Sequence, residues 1–86
     1  MNTSANLVLV VRNKDKVLYK GSVFALTSVN DRGIFDVLSG HESFISLIKE
    51  KVVIHPTIKT NQEILIDNGI LRVYEDKAYV YVNFKS

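Results

Sequence analysis

Apolar residues come in short bursts along this chain, none longer than five, parted by polar or glycine-bearing segments. The clearest burst closes the sequence. From Ala78 to Phe84, Val80, Val82 and Phe84 alternate with Tyr79, Tyr81 and Asn83. Strict period-2 alternation predicts a strand with one buried face. Asn6 to Arg12 predicts an apolar strand, and the turn residues Asn13-Lys14-Asp15-Lys16 end it. Val17 to Lys20 resumes a strand that Gly21 interrupts with a bulge or bend. Ser22 to Val29 alternates loosely, with Val23, Ala25 and Thr27 on one face and Phe24, Leu26 and Ser28 on the other.

The middle of the chain continues in the same manner. Asn30-Asp31-Arg32-Gly33 is a strong turn signal, Ile34 to Leu38 a short strand, and Ser39-Gly40-His41-Glu42 a further turn. Phe44, Leu47 and Ile48 have helical spacing behind a capping Ser43, yet the stretch is too short for an unaided helix and reads as a strand. Lys51 to His55 is a strand ended by Pro56, and Thr57 to Gln62 is a polar connection. Glu63–Ile66 and Gly69–Tyr74 flank Asp67-Asn68-Gly69, where Asn-Gly signals a tight hairpin turn. Glu75-Asp76-Lys77 turns once more. Eight to ten short strands at a spacing of roughly 8–12 residues predict an all-β fold, an antiparallel sandwich or a flattened barrel. The expectation is one domain over residues 1–86, with disordered ends at 1–5 and 85–86.

Composition strengthens this reading. Val and Ile are abundant, Ala is rare, and 47% of the chain is hydrophobic. β-branched side chains suit a pleated surface and lose freedom in helices. There is no Cys, which removes disulfides and thiolate chemistry. No apolar run approaches the roughly 18 residues of a membrane-spanning helix. The net charge is only +2, with both signs interspersed along the chain, so no concentrated basic footprint for nucleic acid is visible. Tyr79 and Tyr81 lack flanking arginines in sequence, which argues further against base stacking.

Candidate chemistry is sparse. His41 and His55 stand well apart in sequence, without metal-ligand spacing, so no metal site is expected. Asp36, Ser39 and His41 contain the letters of a hydrolytic triad but lie too close in sequence to orient one another. No glycine-rich phosphate loop occurs, and no cofactor is expected. Asp36 interrupts an apolar stretch. It either faces solvent on an alternating strand or caps the turn that follows it.

Two segments resemble a known family. Gly33-Ile34-Phe35-Asp36-Val37-Leu38-Ser39-Gly40-His41-Glu42 is similar to its pattern Gly-x-apolar-(Gly/Thr/Asp)-apolar-apolar-Pro-(Gly/Asn)-His-x. Asn68-Gly69-Ile70-Leu71-Arg72-Val73 resembles its Gly-Gly-apolar-apolar-x-Val hairpin. Leu9-Val10-Val11, Leu18-Tyr19, Gly21 and Val23 agree as well. The family is the epsilon subunit of the rotary ATP synthase, in its N-terminal β-sandwich domain, and the likeness runs from about Leu7 to Val82. The family's proline is Ser39 here, which loosens that turn. The acidic residue after its first glycine is Ile34, so a ring contact through that carboxylate does not carry over.

The resemblance implies a flattened antiparallel β-sandwich of about ten short strands in the central stalk, non-catalytic, docking on the gamma subunit and resting on the ring of c subunits. It would couple proton-driven rotation to ATP synthesis at the cytoplasmic face of the bacterial membrane, without inserting into it. The isolated chain is expected to be monomeric. Gly40, His41 and Glu42 become candidate contact residues, and so does Asn13, at a position near the gamma contact. Asn30, Asp31, Arg32 and Gly33 become candidates for the ring end, and Leu38 for an apolar contact. The family's following two-helix hairpin has no counterpart in these 86 residues. The competing expectation is a free-standing β-sandwich adaptor or ligand module. That reading calls for a concave pocket with convergent polar groups, whereas docking calls for a flat patch.

Overall fold

The computed structural model describes residues 6–40 and 42–85. Its elements are β1 (Leu7–Arg12), β2 (Val17–Val23), β3 (Ala25–Asn30), β4 (Gly33–Leu38), β5 (Phe44–Thr57), β6 (Thr60–Tyr74) and β7 (Lys77–Asn83). They form one sheet in the order β2-β1-β7-β6-β5-β3-β4. The all-β expectation holds, and the Phe44–Lys49 stretch is a strand, as its length requires. The expected disorder at 1–5 and at Ser86 lies outside the described residues. Lys85 is exposed just beyond β7.

The strands number seven among the described residues because two pairs of predicted strands are continuous. β5 has 14 residues, joins Phe44–Lys49 to Lys51–His55 through Glu50 and runs on past Pro56, and β6 has 15 and runs through Asp67-Asn68-Gly69. Pro56 is tolerated because the register shifts between Ile54 and Thr57, where no ladder hydrogen bond from its missing N–H is needed. The hairpin turn falls at Thr57–Thr60. There the Thr60 hydroxyl accepts from the Thr57 N–H at 3.2 Å and lies 2.8 Å from the Thr57 hydroxyl.

Asp67-Asn68-Gly69 is a corner in mid-strand rather than a hairpin turn. Lys49 pairs with Asn68 but Lys51 pairs with Leu65, so β6 carries one extra residue and β5 passes the corner at Glu50, φ 72°. The extra residue changes which parity faces inward. Ile66 is buried before it, and Gly69, Leu71 and Val73 face inward after it. Asn-Gly suits the corner for a second reason. A Cβ on Gly69 would stand 2.5 Å from the Tyr81 carbonyl oxygen and 3.3 Å from Val82 Cα. Only glycine lets β6 and β7 approach this closely.

Leu7, Leu9, Val11 and Val23 are fully buried, and so are Val37, Val52 and Ile54, all in one cluster. These residues come from opposite ends of a single sheet. β2 lies against β5 with no ladder between them. The sheet therefore folds over at the corner, and its two halves cover each other as a flattened sandwich. One half is β2-β1-β7 with the later part of β6 and the start of β5. The other is the remainder of the β5–β6 hairpin with β3 and β4. Pairing is antiparallel throughout except for β1 with β7, which is parallel. The long chain between those two strands supplies the crossover that a parallel pair needs. β3 departs from the loose alternation of its sequence. Ala25, Leu26, Ser28 and Val29 are all buried, because β4 and β5 flank it on both sides.

Gly69→Ala should destabilise the domain by about 2 kcal/mol or more, the cost of overpacking against backbone. Gly21→Ala, whose Cβ would meet only the Tyr19 ring at 3.7 Å or beyond, should cost much less. Urea unfolding of both variants measures the difference.

Candidate functional site

The residues that the sequence picks out fall in separate places. Asn13 closes the β1–β2 turn: its side-chain oxygen accepts from the Asp15 and Lys16 N–H groups at 2.8 and 2.9 Å. Asn30 does the same at the β3–β4 turn, accepting from Arg32 N–H at 2.8 Å, and its amide donates to the Ser46 hydroxyl at 3.3 Å. Asp31 meets Lys49 at 3.3 Å, both exposed, and Gly33 has φ 116°. Arg32 is exposed, and this turn borders Ile45 and Leu47 on β5. Leu38 is half-exposed at the far end of β4, followed by Gly40, φ 84°. Glu42 is exposed. His41 lies outside the described residues. Five steps of β4 put Gly33 and Leu38 about 17 Å apart, so the 30–33 turn and Leu38 do not converge.

The turn after β4 is held by a residue that the sequence reading passed over. The Asp76 carboxylate accepts from the Ser39 hydroxyl at 2.8 Å and from the Gly40 N–H at 3.0 Å. Its backbone carbonyl accepts from the Val8 N–H at 2.8 Å. One residue of the β6–β7 turn thus ties the β4–β5 loop to the start of β1. Asp36 does not cap that turn. It accepts from the Thr27 hydroxyl at 2.6 Å, and that hydroxyl lies 2.9 Å from His55 Nε2. Ser39 and Asp36 bond to different partners, so the letters of the triad are not assembled. Among the described residues, no three of His, Asp and Glu gather to hold a metal.

What the structure does assemble is a face. On the outer side of the β1-β7-β6-β5 half-sheet, Val10 pairs with Tyr79, Tyr79 with Arg72, and Arg72 with Ile45. The next row is Arg12, Tyr81, Ile70 and Leu47. Val8, Lys77 and Tyr74 stand above these rows, and Lys20 lies beside Val10. Most of the apolar members are exposed, with Ile45 at 70% and Leu47 at 74%, while Val10 is half-buried. An open groove of about 270 Å³ runs between Val10, Arg12, Ile70, Arg72, Tyr79 and Tyr81, and its walls present only apolar atoms. The Arg72 guanidinium sits 5.9 Å from the centroid of the Tyr74 ring.

Sequence reasoning missed this face. It took the charges as interspersed and the tyrosines as lacking arginines. The register brings Arg12 beside Tyr81 and Arg72 beside Tyr79 from other strands. The charged side chains in these rows are all cationic. The available signal was the alternate set Tyr79 and Tyr81 read together with Ile70 and Arg72, which needs strand pairing to interpret.

Fold and face together define a class: a small all-β domain with one open apolar and cationic surface. No family model matches the chain. The chain is 32% identical over 79 residues to the ATP synthase epsilon chain of Sulfurimonas denitrificans, covering 91% of this chain and 61% of that protein. It is 37% identical over 65 residues to the ATP synthase epsilon chain of Campylobacter jejuni, covering 74% and 50%. Among solved structures, a chain of the Euglena gracilis mitochondrial ATP synthase superposes with a TM-score of 0.84 at 19% identity, covering 95% of this chain and 53% of that one. A chain of the Tetrahymena thermophila mitochondrial ATP synthase central stalk and c-ring gives 0.74 at 10% identity, covering 90% and 63%. These two likenesses establish the fold. By sequence, the chain is a homologue of the ATP synthase epsilon chains, and it spans about half to three-fifths of the length of the relatives it matches.

Asp76→Ala removes both bonds to the β4–β5 turn. It should destabilise the domain by about 1 kcal/mol and speed hydrogen exchange at the Gly40 amide more than at Leu71. Exchange measured by NMR at both positions checks this.

Proposed function

We propose that this domain serves as a non-catalytic rotor element of a rotary ATP synthase. It docks on the gamma subunit and rests on the c-ring, coupling proton-driven rotation to ATP synthesis. Its place is peripheral, on the cytoplasmic face of a bacterial membrane. The observation that carries this reading is the exposed face of Ile45, Leu47, Ile70, Tyr79 and Tyr81. A contiguous apolar surface of this kind is one that another protein covers. A ligand module would instead need polar groups converging in a concave pocket, and the groove on this face is open and carbon-lined. The relatives' name and the central-stalk setting of the Tetrahymena neighbour support the same reading.

The turn residues divide between the two partners. Asn30, Asp31, Arg32 and Gly33 form the ring-facing candidate, adjoining Ile45 and Leu47. Asn13, Leu38, Gly40, His41 and Glu42 are the candidates for gamma. The separation of about 17 Å along β4 suits two contacts with two different partners.

Leu47→Asp leaves the core untouched, because Leu47 is 74% exposed. It should weaken binding to the purified gamma subunit from the same genome by tenfold or more, with an unchanged melting temperature. Isothermal titration calorimetry reads the first and a thermal melt the second. Absence of any complex between the unaltered chain and gamma at micromolar concentration would overturn the reading.

A further inference from the structure

The two arginines on the docking face are its least expected feature. Arg12 and Arg72 lie on β1 and β6, with β7 and its tyrosines between them. Two strand spacings across and two residues along place their Cα atoms about 12 Å apart. Among the described residues neither is in an ion pair. Arg12 Nε donates to the Asn13 carbonyl at 3.1 Å, and Arg72 lies over Tyr74. Lys20 and Lys77 add charge of the same sign to this face, and Lys49 at its border is already paired with Asp31. The groove that the arginines flank is apolar. A partner that fills it must supply carbon at the centre and negative charge on both sides.

We propose that this face recognises an acidic, apolar protein surface. One bulky apolar side chain would enter the groove between Tyr79 and Tyr81, and two carboxylates at the spacing of the arginines would meet Arg12 and Arg72. This deepens the docking reading and rests on it. Carboxylate is the natural counterpart, since guanidinium binds it in a bidentate fork while stacking on aromatic rings. Two turns of a helix, about 11 Å, span the required distance. A nucleic-acid strand fits less well. Its phosphates need a continuous cationic track, whereas the apolar groove parts Arg12 from Arg72 and the whole chain carries only +2.

The test titrates purified gamma subunit against the unaltered chain and against Arg12→Gln, Arg72→Gln, the double variant, Arg72→Lys and Leu47→Asp, at several salt concentrations. Each glutamine variant should lose about tenfold in affinity and the double variant about a hundredfold, since sites this far apart act additively. Affinity of the unaltered chain and of Arg72→Lys should fall as salt rises. That of the double variant should be nearly flat, a change that a merely structural role would not produce. Failure of the unaltered chain to bind gamma overturns the docking reading and this inference together. Glutamine variants that bind within twofold while Leu47→Asp does not would overturn this inference alone. A twelve-nucleotide single strand bound more tightly than gamma, and lost in Arg72→Gln, would also overturn it.

Discussion

Two long paired strands, one of 14 residues and one of 15, cannot stay flat and still hide their apolar side in a chain this small. The pair has to turn a corner without breaking its ladder, and the rest of the domain depends on how it does so. Glu50 takes a left-handed backbone on β5 while β6 accommodates one additional residue. The inward face is then kept on β5, with Ile48 and Val52 both buried, and re-phased on β6 between Ile66 and Gly69. Because β7 passes against Gly69, the corner works only where a side chain is absent. Once the sheet folds there, β1 and β2 come to cover β3, β4 and β5, and one continuous sheet forms both layers. The Asp76 carboxylate then ties the loop after β4 to the β6–β7 turn, across the two halves.

Much of this was legible in the chain. Alternation located the inward residues Val80 and Val82 of β7, and β-branched composition pointed away from a helical domain. What escaped was continuity. Asp67-Asn68-Gly69 carries the same local preference whether the chain reverses or merely turns a corner. What decides between them is the nearness of Tyr81, a residue well further along the chain. Pro56 ends a strand in an interior ladder, but at a bulge its missing N–H goes unnoticed. The resemblance to the epsilon family came from short motifs, and the sequence relatives agree with it.

The candidate site was legible only in part, for a related reason. Turns advertise themselves: Asn13, Asn30, Gly33 and Gly40 are visible because their chemistry or their φ angles serve the backbone itself. A docking face has no such local signature. It is built from every second residue of four strands, and two of those strands, β1 and β7, are joined only by a parallel ladder across nearly the whole chain. Charges that alternate in sign along the sequence sort by sign once the register is set. Arg12 and Arg72 stand near opposite ends of the sequence and share one groove in the fold.

That sorting meets two demands with the same side chains. A broad surface holding Ile45, Leu47, Ile70 and two tyrosines invites uncontrolled association of the free chain. Lys20, Lys77, Arg12 and Arg72 oppose it, because two copies meeting face to face would bring like charges together. A partner of opposite charge meets no such barrier. The cations therefore discourage self-association and select the complementary surface in one arrangement. Neutral polar residues at the same positions would keep the face soluble, but they would give it no preference for an acidic partner over a neutral one.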